Sequence, residues 1–497
     1  MASGTRYAFG EFELDTQSRR LLRGGGEAIT LADRHFEVLH KLVAHAGTIL
    51  SKDALVTAAW GDVAVTDNSL EQAISVLRRA LGGDADGRPL IETVPRRGYR
   101  FAAAVTRPVQ RQSDASLDAM LAPHRAWLEG RAALETLERD QIGRAREVFE
   151  RVLAATPDHP LVHIGLANAC AMQFEATRAD RPPDTRALLL AAEHAREGCR
   201  LDPQSGEAWA TLGFVLDRSG QPMDAVAALR RAISLEPDNW RHHLRLAYAS
   251  WGEERLRSAR RALARLPGCP LAHWLAATVH VARNLLDEAE RELTSGIEVQ
   301  QRQGQGRFSA VGLHWLRGLV HLARGDERAL EDFERELSFE STGHVYAREC
   351  CANAWYAIGA LHWRQQRPAD ARAAFEQARA RIAHHPLAGI AIAVLDGSSE
   401  LHRRLEGGRD VTLSAASSVA APETPMGNPQ GVELSIGRGV ALTLRGDSVR
   451  AAQLVEAALL AAPAGNAGWF LPVEPVLHVA GRSEWAPALE RLRLRAA

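Results

Sequence analysis

Two arginines stand side by side in the run Ile91-Glu-Thr-Val-Pro-Arg-Arg-Gly-Tyr-Arg-Phe101, and two more, Arg78 and Arg79, close the run Ser75-Val-Leu-Arg-Arg-Ala-Leu-Gly82. Paired guanidinium groups hold phosphate oxygens through charge-assisted, often bidentate hydrogen bonds. Arg96 and Arg97 fall where a hairpin tip is expected, and a tip gives little structural reason for two adjacent cations. One turn and two turns before Arg79 lie Ser75 and Gln72, side chains able to read base edges; glutamine can pair bidentately with adenine. Glu71 beside them would repel phosphate unless it points away or accepts from a cytosine amine. The set fits a helix lying in a major groove and a hairpin whose arginines reach the neighbouring backbone or minor groove.

The surrounding residues are those needed to hold such groups in place. Residues 7–31 alternate short β-prone runs with turn residues and predict a small antiparallel sheet. A helix is expected from Thr30, capped with Asp33 three residues on, burying Phe36, Leu39, Leu42 and Val43 and ending at Gly47. Ser51 caps a second helix that runs to Trp60, and Gly61 breaks it. A third helix, capped by Thr66 or Asp67, carries Leu70, Ile74, Leu77 and Leu81 on one face. Asn68, Glu71, Gln72, Ser75, Arg78 and Arg79 are left on the other. Strands near 90–94 and 98–103 then flank Pro95-Arg96-Arg97.

The chain has 497 residues, 46% hydrophobic and 24% charged, which predicts a globular protein of two or more units. Its net charge is −1, and residues 1–106 hold thirteen basic against thirteen acidic residues. Any nucleic-acid contact must therefore come from local charge, not from a basic domain. Five cysteines without metal-ligand spacing suggest a reducing compartment. The absence of an apolar leader or of a membrane-length apolar run predicts a cytoplasmic location with no membrane contact.

Residues 107–119 are polar and aperiodic and read as a linker. From 120 the pattern is helical and repeats. Trp209, Leu212, Gly213, Leu216, Gly220, Ala225, Leu229, Ala232 and Pro237 have the spacing of a tetratricopeptide repeat. Small residues at 213 and 225 let two antiparallel helices approach, and proline ends the second. The register recurs around Phe149, Ala259, Ala289, Phe333, Phe375 and Val455, giving seven or eight helix pairs over 120–405 and 432–497. The Gly-, Ser-, Ala- and Pro-rich stretch 406–431 reads as a flexible loop. Such arrays stack into a superhelix whose concave face binds a partner.

On these motifs, residues 7–104 resemble the winged-helix output domain of OmpR/PhoB-type regulators, and more closely the ToxR/CadC/HilA-like branch of transcriptional activators. The resemblance rests on Trp60-Gly-Asp62, on Val65 through Leu81, and on Glu92 through Phe101. It implies an α+β winged-helix domain over 1–106 followed by an all-α repeat solenoid. It implies that Asn68, Gln72, Ser75, Arg78 and Arg79 face promoter DNA, that Arg96 and Arg97 make wing contacts, and that Tyr99 and Phe101 anchor the wing. The loop of Trp60, Gly61, Asp62 and Val63 falls where this family contacts RNA polymerase. Response regulators of this type carry a receiver domain ahead of the module, which here starts almost at Met1, so control by receiver phosphorylation is not expected within this chain. Signals would enter through the repeats, by a protein partner, self-association or a small molecule.

Other readings have less in their favour. His242-His243 and His384-His385 invite a metal, but adjacent residues on a helix do not face one site. Cys269 with His273 and the pair Cys350-Cys351 are better read as small core positions, as are the tryptophans Trp209, Trp274, Trp315, Trp355 and Trp363 as repeat core. No phosphate loop, dinucleotide turn or nucleophile–base set is present, so neither an enzyme nor a cofactor is expected. The rival class is an interaction scaffold whose winged helix binds protein; four retained arginines argue against it.

Overall fold

The computed structural model describes residues 6–24, 27–61, 67–83, 88–106, 111–303, 309–397 and 431–497, without the side chains of 67, 68 and 111–116. The chain divides into two compact units, Met1–Asp118 and Ala119–Ala497.

The first unit opens with four short antiparallel strands in sequential order, β1 (Arg6–Phe9), β2 (Phe12–Asp15), β3 (Arg20–Arg23) and β4 (Glu27–Ile29). Three helices follow: α1 (Asp33–Ala44), α2 (Lys52–Trp60) and α3 (Asp67–Leu81). A second sheet, ordered β5-β7-β6, is built from Ile49–Leu50, Gly98–Phe101 and Ile91–Val94. The core joins all of these. Phe9 meets Phe101 edge-to-face at 5.0 Å, and Leu39, Leu42, Leu55, Leu70 and Leu77 are buried between helices and sheets. Backbone bonds from Ala8 to Thr106 in both directions, each 2.8 Å, tie the end of the unit to its first strand.

Most expected boundaries in this unit hold, with one difference. α1 starts at Asp33, not Thr30; its N-cap is Ala32, which offers no side-chain acceptor. Thr30 instead follows directly on β4, so strand pairing wins over the capping-box pattern. α2 is capped as expected, Ser51 Oγ accepting from the Ala54 amide at 3.2 Å, and Gly61 ends it at φ +61°.

The second unit is helical. It begins at α4 (Arg111–Glu135), so residues 111–119, expected as linker, are helical turns. Low periodicity in a polar stretch does not prevent helix where the following turns are packed, as Ala126 and Trp127 are against Phe149. Antiparallel pairs follow: α4 with α5 (Arg139–Ala155), α6 (Pro160–Thr177) with α7 (Thr185–Leu201), α8 (Gly206–Arg218) with α9 (Pro222–Leu235), and α10 (Trp240–Ala249) with α11 (Gly252–Arg265). Then come α12 (Pro270–Ala282) with α13 (Leu286–Gln303), α14 (Leu313–Arg324) with α15 (Ala329–Leu337), and α16 (Ala347–Arg364) with α17 (Pro368–Arg381). α18 (Pro386–Leu395) packs on α19 (Val432–Leu444), itself paired with α20 (Ser448–Ala461). The expected loop 406–431 lies outside the described residues.

Several pairs meet where a glycine of one helix faces a large side chain of the other. A Cβ on Gly213 would lie 2.6 Å from Leu229, one on Gly318 2.6 Å from Phe333, and one on Gly359 2.5 Å from Phe375. Residues 462–485, expected as part of a terminal helical segment, are mostly non-helical: two short 3-10 turns separate α20 from α21 (Ala486–Arg495). This stretch is nonetheless core. Trp469, Leu471, Val473, Leu477 and Trp485 are all buried, and Trp469 packs edge-on to Trp274 of α12 at 6.3 Å.

The array also closes on itself. The turn between α4 and α5 forms an antiparallel bridge, Glu138 to His344, with the segment leading into α16. Arg139 N donates to Gly343 O at 3.1 Å and Val345 N to Leu137 O at 2.8 Å. Below the bridge, Arg178 lies between Glu175 (3.1 Å) and Glu349 (2.6 Å), and the Tyr346 hydroxyl donates to Glu175 at 2.8 Å. These joins span about 170 residues of sequence. Among the described residues no helix is long and apolar enough to cross a membrane.

Candidate nucleic-acid interface

α3 is amphipathic by sequence, and its packing separates the two faces cleanly. Leu70, Ala73, Ile74, Leu77 and Leu81 are buried, while Glu71, Gln72, Ser75, Val76 and Arg79 are exposed. Gln72, Ser75, Val76 and Arg79 recur at three- and four-residue spacing and so form one stripe along the helix. None of the four is engaged by the fold among the described residues. Asn68 is on the helix, but its side chain lies outside the described residues.

Val76 was not among the sequence candidates. It is 39% exposed, one of few large apolar residues that the first unit leaves in solvent. A helix position that is apolar, exposed and flanked by Ser75 and Arg79 suits contact with a thymine methyl group. Its signal in the sequence was available: it falls off the Leu70–Ile74–Leu77–Leu81 face.

The acid and the arginines of α3 have different fates. Glu71 pairs with Lys52 of α2 at 2.9 Å, so its charge is balanced by a neighbour. Arg78, expected to face DNA, turns to the wing: its Nε donates to Ile91 O at 2.9 Å and its Nη2 to Thr93 Oγ1 at 2.8 Å. It is half-buried and fixes the wing strand against the helix end. Arg79 is exposed and pairs with no acid among the described residues.

The wing is rigid at its base and charged at its tip. Tyr99 and Phe101 are buried, and Arg100 crosses to Glu92 at 2.5 Å. Gly98 allows β7 to lie against β5: a Cβ there would sit 1.9 Å from Leu50 O, and its φ of +131° disfavours any other residue. Arg96 takes φ +62° at the turn, and the Arg97 amide closes it on Val94 O at 3.0 Å. Both side chains are exposed. A non-glycine left-handed residue at a tip, its side chain exposed and paired with no acid among the described residues, is a strain of the sort found at functional positions.

Trp60, of the loop expected to meet RNA polymerase, packs against the core and lies beneath the Arg34 guanidinium at 6.0 Å. Gly61 is exposed; Asp62 and Val63 lie outside the described residues. Trp60, Gln72 and Ser69 share a groove with the uncapped start of α1 at Asp33–His35.

The histidine pairs are accounted for by internal bonds. His242 Nε2 meets Glu236 at 3.0 Å and His243 Nε2 meets Pro237 O at 2.8 Å. His384 reaches Ala179 O, His385 reaches Asn353, and His273 pairs with Glu292. No cluster of three or more His, Cys, Asp or Glu is placed for a metal among the described residues.

Residues 26–101 match the family model described as transcriptional regulatory protein, C terminal, and residues 206–249 and 346–386 match tetratricopeptide-repeat models. The chain is 36% identical over 93 residues to the transcriptional activator CadC of Escherichia coli K12, covering 18% of this chain and 18% of that protein. It is 36% identical over 99 residues to the transcriptional regulator HilA of Salmonella typhimurium, covering 20% of this chain and 17% of that one. The solved DNA-binding domain of E. coli CadC is 32% identical and matches over 21% of this chain and 99% of its own, with a TM-score of 0.20. The likeness thus spans less than a fifth of either curated regulator. Together with the strand, helix and wing geometry above, these matches identify the first unit as an OmpR/PhoB-type DNA-binding domain with CadC- and HilA-like relatives, followed by tetratricopeptide repeats.

Proposed function

We propose that this chain is a sequence-specific transcriptional regulator that activates promoters. In this reading Gln72, Ser75 and Val76, with Asn68, face base edges in the major groove. Arg79, Arg96 and Arg97 hold phosphate or the adjacent minor groove, and Arg78 sets the angle between helix and wing. The observation that carries it is the α3 stripe together with the wing tip: exposed, polar or cationic, and unused by the fold. Trp60 and Gly61 with Asp62 and Val63 form the surface for RNA polymerase, and the repeats bind a protein partner or a second copy of the chain.

The test is binding-site selection from random duplex DNA by the full chain, repeated with Arg96 and Arg97 both changed to alanine. An enriched motif is expected, with affinity falling about tenfold or more in the double variant and the salt slope falling by about two. No motif, with binding indifferent to both changes, would leave the domain as a protein-binding module.

A further inference from the structure

Inside the closed part of the array lies a cavity of about 210 Å³. Its walls are mainly apolar and aromatic, with Trp127 of α4, Phe214 of α8, and Trp240 and Tyr248 of α10 among them. A cavity of roughly 150 Å³ is enough to hold benzene, so this one admits a two-ring molecule. Flat aromatic walls favour a flat guest, by offset or edge-on packing.

Four arginines stand in this wall, and they are held differently; Arg131 reaches Glu135 at 4.0 Å. Arg218 lies against Asp217 at 2.9 Å and Glu175 at 3.2 Å, and Arg241 is joined to Glu135. Arg245 is paired more loosely, in a longer ion pair with Glu207. Its Nη2 donates to Asn168 Oδ1 at 2.7 Å and its Nη1 to Thr211 Oγ1 at 3.2 Å, both neutral oxygens. The carboxylate nearest to it, Glu207, stands 3.7 Å away, beyond hydrogen-bond range. The side chain is 21% exposed. Burial holds its guanidinium below the ordinary arginine range, opposed by the charge of Glu207 and reinforced by the neighbouring Arg241. Two of five N–H donors are used on the neutral oxygens; a carboxylate matches the geometry of those that remain.

We propose that this cavity binds a small aromatic carboxylate, its acid group on Arg245 and its ring against the aromatic walls. Leu137 and Tyr346, which flank the bridge at Glu138 and His344, line the cavity. The inference concerns the repeats alone and stands apart from the reading of the DNA-binding unit.

Calorimetric titration of the full chain with indole-3-acetate, phenylacetate and benzoate, and with the neutral indole-3-acetamide, tests it. Indole-3-acetate is expected to saturate one site per chain, at least about tenfold tighter than its amide. Arg245→Gln is expected to bring the acid down to the level of the amide, with helical circular dichroism reporting that the variant is folded. The acid–amide comparison on the unaltered chain decides the matter even if that variant fails to fold. Equal affinities for acid and amide, or no saturation by any of the three acids, overturn the proposal. So does binding that survives Arg245→Gln, or binding confined to a tetrapeptide with a free C-terminal carboxylate.

Discussion

The interior of the repeats and the exposed stripe and wing tip of the first unit use arginine in opposite ways. In the repeats the guanidinium groups of Arg178, Arg218, Arg317 and Arg324 face carboxylates of the same unit, often deep in the packing. In the first unit Arg79, Arg96 and Arg97 project into solvent with no acid beside them among the described residues. Composition alone cannot separate these roles, because nearly every basic residue of the chain is arginine. What separates them is whether the fold has already supplied a partner. A cation with an internal partner is structural; a cation presented on a rigid element without one is available to a ligand. Arg78 shows how fine the division is, being one residue from Arg79 and bound to the wing.

The comparison predicts a graded series. The largest effect belongs to the interior: Arg178→Ala leaves Glu349 buried without its close cation, and Glu175 with Arg218 alone, and is expected to cost about 3–5 kcal/mol in chemical denaturation. A loss below about 1 kcal/mol would erase the contrast between the units. Next is Gly98→Ala, where the new Cβ collides with Leu50 O. It is expected to destabilise the first unit by about 2–3 kcal/mol and abolish DNA retention, with the helical circular dichroism of the repeats preserved. Full DNA binding by this variant would show that the wing tolerates a shift of β7.

A pH-dependent effect of similar or smaller size is expected at Glu474. Burial pushes this carboxyl up to about 7, even though the Tyr356 hydroxyl and the Leu477 amide donate to it at 2.6 and 2.5 Å. The folded chain therefore keeps a proton that the unfolded chain loses near about 4.3. The stability this contributes is complete below the unfolded value and is lost as pH rises through about 7. Glu474→Gln should flatten the dependence, leaving Tm little changed at pH 4.5 and raising stability by about 2 kcal/mol at pH 8. Parallel Tm–pH curves for the two proteins would contradict it. The smallest stability effect is that of Arg79→Ala, within about 0.5 kcal/mol. The same change should weaken DNA binding several-fold and reduce the salt slope by about one. A loss of stability without a change in slope would make Arg79 structural after all.

Much of this was legible in the sequence where contacts are local. The alternation of residues 7–31, the buried stripe of α3, the cap at Ser51 and the Gly213–Leu229 approach are all set within a few turns or one helix pair. The readings that shifted depend on distant partners. Thr30 falls in the link between β4 and α1 and caps no helix. Arg78 is claimed by Ile91 and Thr93, and Glu71 by Lys52, contacts that periodicity does not report. Val76 was overlooked because cationic and polar types were sought, although its position off the core face marked it. Residues 111–119 are helical because the later turns of the same helix are packed. The cavity and the bridge could not be read at all, since Arg178 and Glu349 are separated by 171 residues.

That bridge changes what evolution can do with the array. An open solenoid tolerates duplication or loss of a unit, because each repeat touches only its neighbours. Here the α4–α5 turn must meet residues 343–345 in register. Adding or deleting one helix pair between them would carry the two edges past each other. The number of repeats from residue 139 to residue 343 is therefore locked, as the number of staves is locked in a hooped barrel, and variation is confined to the repeats that lie after the closure.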